Sequence, residues 1–276
     1  MSEEEMERQL AHQLRALNKL EQRQFLSLHN NVTGKRVFSG IFKTNALPCG
    51  PKSSLGAVYP TICFINHSCL PNSCYSWNAA AQMETVYVVR PIKAGEEITV
   101  CYTDPENTAA RQAHLKNHFG FNCSCELCSL SIIDRKASDA RRNQIYQLEE
   151  GFFAPGRAIF KPREALLDLR KMLELLNEEY KGGAKVLESD VYYDAVQLTI
   201  SHGDEARAST FGKRAYEARL LCVGEDGTRT QEMKGLMNNP ASHEYFGMSK
   251  KWKTAKDAIP RGLDKKDFEK WLWRLE

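Results

Sequence analysis

Charge of one sign is what these 276 residues lack most plainly: 38 Lys and Arg stand against 35 Asp and Glu, a formal net charge of +3. So small a surplus gives no electrostatic footprint for nucleic acid, and no direct nucleic-acid binding is expected. The basic clusters, Lys250-Lys251 with Lys253 and Lys265-Lys266, are short and read as solvated helix faces. Long apolar runs are missing too. The most apolar stretch, Ala57 to Ile65, is far too short to span a bilayer and contains Pro60. The acidic start, Ser2 to Glu5, leads into a helical pattern without the apolar core of a secretory signal. Membrane partners are therefore not expected, and the expected location is intracellular, in nucleus or cytoplasm. No nucleophilic triad of the acyl-transfer kind stands out either.

What is present begins with cysteine. Nine occur, and eight of them fall between Cys49 and Cys128. Without a secretory signal they read as reduced thiols and metal ligands, not as disulfides. Cys123-x-Cys125-x2-Cys128 brings three thiols close enough to wrap one ion. A structural zinc site wants four tetrahedral ligands, so a fourth must come from elsewhere. Cys69 of Asn-His-Ser-Cys is the candidate, with Cys74, His118 and Cys101 as alternatives.

The chain is long enough for one large or two small domains, and its 42% hydrophobic and 26% charged residues are ordinary for a globular protein. Over residues 3–29, Met6, Leu10, Leu14, Leu17 and Leu20 recur at spacings of four and three, which predicts one or two packing helices. From Ile41 to Tyr102, short Val-, Ile-, Thr- and aromatic-rich runs between Pro and Gly turns predict strands. Thr85 to Val89 is the clearest. Lys93-Ala94-Gly95 reads as a turn into a second strand, Glu97 to Tyr102, expected to pair with the first. Asp104-Pro105 should stop the strands, with a short helix over Thr108 to His118 before the cysteines. After Asp134 the pattern is helical. Leu166, Leu169, Leu173 and Leu176 form a stripe ended at Gly182-Gly183, and two helices flank His202-Gly203-Asp204, with Asp204 as N-cap. The second, through Phe211, Ala215 and Ala218, has the packing of a tetratricopeptide-like hairpin. Trp271-Leu272-Trp273 reads as core.

Three motifs then stand in order: Ile65-Asn66-His67-Ser68-Cys69-Leu70-Pro71-Asn72, Gly95-Glu96-Glu97-Ile98-Thr99-Val100-Cys101-Tyr102, and the cysteine triplet. Together they resemble the later part of a SET domain with its post-SET zinc segment, most closely the SMYD-like type found in fungi without a MYND finger. That family transfers methyl groups from S-adenosylmethionine to protein lysines. The resemblance implies an α+β chain: a SET-type β-clip of short strands with a pseudoknot-like core, a zinc-binding post-SET segment and a helical, tetratricopeptide-like C-terminal domain. It implies a helical insert over 1–31, SET sequence over 32–122, the zinc segment over 123–133 and the helical domain over 134–276. It also implies zinc on Cys69, Cys123, Cys125 and Cys128, and Tyr102 as the catalytic tyrosine. Asn45, Cys63, Ile65, Asn66, His67, Tyr102 and Phe121 would contact the cofactor, His67 chiefly through its backbone. The substrate would be a lysine of a histone or another protein, and the protein a monomer.

The family's opening strands carry a Gly-x-Gly turn against the cofactor, whereas residues 1–40 offer only Gly34 and Gly40, neither in such a turn. A MYND finger is not expected, since the first cysteine is Cys49. The expectation is a SET domain without its opening part, arising from a late start, a degraded paralogue or strands supplied in trans. Two functions follow: a methyltransferase, or a catalytically inactive zinc-containing scaffold that binds protein partners.

Overall fold

The computed structural model describes residues 2–32, 34, 36–50, 53–103 and 106–275. They fall into two compact units, Met1–Val86 with Ile92–Ser131, and Tyr87–Pro91 with Ile132–Glu276. The expected strand stop at Asp104-Pro105 lies outside the described residues.

In the first unit the N-terminal pattern gives two helices, α1 (Glu3–Ala16) and α2 (Lys19–Leu26). They separate because Asn18 starts α2 with a capping box shared with Glu21. Neither helix buries a residue: Met6, Leu10 and Leu14 are half-buried, while Leu17 and Leu20 are exposed. What docks α1 is polar. The Glu7 carboxylate accepts from the backbone N–H of Phe38 (3.1 Å) and Ser39 (2.7 Å), at the start of α3 (Val37–Asn45). The N-cap of α3, Arg36, makes no side-chain cap, so Glu7 supplies from a distance what the local sequence does not. This corrects the strand expected from Ile41: residues through Asn45 are helical.

Six short strands follow: β1 (Ala46–Pro48), β2 (Gly56–Val58), β3 (Asn66–His67), β4 (Ser73–Asn78), β5 (Met83–Val88) and β6 (Thr99–Val100). They make three two-stranded sheets among the described residues, pairing β1 with β2, β3 with β6, and β4 with β5. The expected pairing of β6 with β5 is wrong. β6 runs parallel to β3, with Asn66 opposite Thr99 and His67 opposite Val100. Asn72 explains the choice. Its Oδ1 accepts from Thr99 N–H at 2.9 Å, and its Nδ2 donates to Glu97 O (2.8 Å) and Glu96 Oε1 (3.1 Å). Ser73 Oγ adds a bond to Thr99 O at 2.8 Å. The motif that precedes β4 therefore captures the later strand by side-chain bonds that no periodicity encodes. The turn at Gly95 is present, with φ +84° and Glu96 N–H donating to Lys93 O at 3.0 Å. Helix α4 (Thr108–Phe119), capped by Asn107 and ended by left-handed Gly120, leads to the cysteines.

The second unit contains α5 (Ile132–Phe152), α6 (Arg157–Phe160), α7 (Pro162–Tyr180), α8 (Lys185–Ser201), α9 (Glu205–Val223), α10 (Thr228–Asn238) and α11 (Lys265–Leu272). Its core joins Leu166, Leu169 and Leu176 to Phe211, Leu272 and Trp273. Asp204 caps α9 through Arg207 N–H. Buried Glu179 of α7 ties down α5, accepting from Arg142 (2.6 Å), Arg141 (2.8 Å) and Ser138 (2.5 Å). Gly212 of α9 lets α10 approach closely, since a Cβ there would stand 3.0 Å from the Met237 backbone. No helix among the described residues is long and apolar enough to cross a membrane.

Candidate cofactor cavity and thiol cluster

Where α3 ends, Asn45 Nδ2 donates to Ile41 O and His29 O, both at 2.7 Å, which fixes the chain as it enters β1. Beyond β2, a single 3-10 turn (Ile62–Phe64) sets Cys63, whose thiol donates to Asn45 O at 3.3 Å. These segments bound a cavity of about 670 Å³, within the usual range for a small-molecule site. Asn45, Cys63, Ile65, Asn66, Tyr102 and Phe121 all line it. So do Tyr75 and Phe119, which sequence reasoning passed over. Phe119 had a readable signal, being the partner of Phe121 across Gly120. Its ring lies 4.9 Å from that of Tyr102.

Tyr102 donates from Oη to Ile65 O at 2.5 Å. Burial, then the nearby Cys63, Tyr75 and Glu97, pushes its phenol above the ordinary range, so it keeps its proton at neutral pH. Burial also raises the Cys63 thiol. Asn66 Nδ2 donates to Glu97 Oε1 at 2.7 Å. His67 is not on the cavity wall. Its Nδ1 accepts from Tyr102 N–H at 3.0 Å, and Nε2 lies 3.3 Å from Cys69 Sγ. Burial brings this imidazole down to about 4, so it is neutral at pH 7.

Cys69, Cys123, Cys125 and Cys128 have all four sulfurs within 4.8 Å of one another. Cys74, Cys101 and His118, the other candidates, are outside this group. The triplet alone does not assemble it. Gln112 of α4 clamps Cys123, accepting from its N–H at 2.9 Å and donating to its C=O at 2.8 Å. Leu115 and Leu127, both buried, pack against the thiols. Cys69 Sγ and Cys128 Sγ are 3.7 Å apart. Thiolates about 2.3 Å from a tetrahedral ion stand about 3.8 Å from each other, so the cluster is the right size to hold a metal. Hydrogen bonds from Cys128 and Cys69 hold the Cys125 thiol far below its usual range. No cysteine is in a disulfide.

Residues 2–103 match the family model described as the SET domain. The "Histone-lysine N-methyltransferase set5" of Schizosaccharomyces pombe is 36% identical over 208 residues, 75% of this chain and 63% of that protein. The "Histone-lysine N-methyltransferase SET5" of Meyerozyma guilliermondii is 39% identical over 74 residues, 26% of this chain and 15% of the relative. The mouse "Histone-lysine N-methyltransferase SMYD3" is 38% identical over 72 residues, 26% and 16% of the two chains. The chain thus spans 63% of the length of its fission-yeast relative, and much less of the other two. By the family model, residues 2–103 are a SET domain, and the chain is similar to SET5 and SMYD-like proteins.

Proposed function

We propose that this protein is a SET-type protein-lysine methyltransferase that uses S-adenosylmethionine. One observation carries the reading: a half-buried tyrosine, Tyr102, whose hydroxyl donates to Ile65 O, stands on the wall of a cavity shared with Asn45, Cys63, Ile65, Asn66 and Phe121. The volume and aromatic walls of the cavity support this reading. When bound, S-adenosylmethionine supplies a methyl group activated by its sulfonium. Asn45, Cys63, Ile65 and Asn66 would hold it, and Phe121 would exclude water and flank a lysine stem. Tyr102 acts as an orienter and electrostatic stabiliser of the reacting centre, because a phenol that keeps its proton near pH 7 presents no phenolate to act as general base.

The four-sulfur cluster is read as a structural zinc site on Cys69, Cys123, Cys125 and Cys128, in a post-SET segment over 123–133 following SET sequence over 32–122. The substrate is a lysine of a histone or another protein, as the names of the relatives suggest. The helical region over 134–276, with α8 and α9 as a tetratricopeptide-like hairpin, is a surface for protein partners. The protein acts as a monomer in nucleus or cytoplasm, without binding nucleic acid directly.

A radiolabelled methyl-transfer assay on a panel of lysine-rich proteins tests this, with a thermal melt for each variant. Wild type should transfer label, and Tyr102→Phe should lose about 100-fold or more of the rate with its melt unchanged. Full activity in Tyr102→Phe overturns the tyrosine's role. No transfer by wild type favours a catalytically inactive zinc-containing scaffold.

A further inference from the structure

Cys69 receives two donors that the roles above leave unused. Arg111 of α4 is wholly buried and donates from Nε to Cys69 Sγ at 3.2 Å. Its terminal nitrogens are held by Glu106 O and Thr108 Oγ1, so the guanidinium is fixed and cannot turn away. His67 is the second. Because its Nδ1 accepts from Tyr102 N–H, the ring proton sits on Nε2, facing Cys69 Sγ at 3.3 Å. A continuous path of hydrogen bonds thus runs from the Tyr102 backbone through His67 to a sulfur of the cluster.

Four thiolates around a divalent ion carry a net charge of minus two, which is costly inside a protein unless positive charge lies close by. Arginine is always charged, and one buried guanidinium touching Cys69 halves that excess. Groups that bond metal ligands also fix the ligands' orientation. We propose that Arg111 and His67 are positioning residues of the metal centre: Arg111 offsets the charge of the loaded cluster, and His67 transmits the position of Cys69 to the Tyr102 backbone, so that metal loading and the cavity wall form one unit. The proposal rests on the reading of the four sulfurs as a metal site and does not depend on methyl transfer.

Two measurements on the full chain test it. The first is zinc affinity by competition with a chromophoric chelator under reducing conditions. Arg111→Met should weaken binding 10- to 100-fold, on the order seen for second-layer partners of metal ligands, and Arg111→Lys, which keeps the charge, should recover most of it. The second is hydrogen exchange at the Tyr102 amide, followed by NMR in loaded and metal-stripped protein. Stripping should speed exchange at least tenfold. His67→Leu should do the same with zinc still bound, and His67→Gln, which keeps a donor and an acceptor, should restore part of the protection. If Arg111→Met does not fold, Arg111→Gln takes its place in the affinity test. Wild-type zinc affinity in both Arg111 variants, or Tyr102 exchange indifferent to metal, overturns the proposal. A wild-type chain that binds no zinc instead removes the metal reading itself, so the two failures are distinguishable.

Discussion

Glu84 of β5 is 8% exposed, and its Oε2 has no hydrogen-bond partner. Burial alone raises its carboxyl from the ordinary 4.5 to about 7. Between about pH 4.5 and 7 the unfolded chain releases this proton while the folded chain keeps it, so stability falls as pH rises across that window and is flat above it. Glu84→Gln removes the ionisable group and should flatten this part of the profile. The variant should gain on the order of 1–3 kcal/mol over wild type at pH 8 and little at pH 4. Urea denaturation of both proteins at the two pH values measures the difference, and an equal gap at both would count against burial as the cause. Nothing in the one-dimensional pattern singled out Glu84, because burial of a strand residue depends on what the fold lays over it. Tyr102 and Phe121 differ in this respect. Both were legible from their motif and both line the cavity, whereas His67 was legible as a residue that matters but not as a neighbour of sulfur.

At the scale of elements, the sequence named helices well and strand partners badly. The caps on α2, α4 and α9 are side chains next to the helix they start, so Asn18, Asn107 and Asp204 could be weighed locally. α3 is capped across 31 residues, by Glu7, and was missed for that reason. Removing this cap should be measurable. Glu7→Ala leaves Phe38 and Ser39 N–H without their acceptor and should cost about 1–2 kcal/mol in urea unfolding. A loss under about 0.3 kcal/mol would mean that water replaces the carboxylate at no penalty. The parallel pairing of β3 with β6 has the same origin as the α3 error, since Asn72 selects the partner through side-chain bonds to residues 24 to 27 positions away.

Over the whole molecule, the two units are stabilised differently. The second rests on a broad leucine and aromatic core. The first has a small one, in which Cys69, Cys123 and Cys128 are themselves the buried apolar residues beside Leu115 and Leu127. A metal bound there adds its binding free energy to the folding of that unit. Chelation under reducing conditions should therefore lower the melting of the first unit while most helical circular dichroism, which comes from the second, persists to the original temperature. Loss of both signals together at the lowered temperature would show that the units unfold as one. The sequence by itself determined the SET-domain resemblance, the helical character after Asp134 and the three thiols of Cys123 to Cys128, because each depends on residues adjacent or periodic along the chain. Cys69 was named beside them by the resemblance, and the tertiary structure brings it to the triplet; only that structure decided that β6 lies along β3 and that Arg111 reaches the sulfur of Cys69. Each of these joins residues 33 to 59 positions apart, a closure that is selected by the bonds made on arrival and leaves no trace in local propensity.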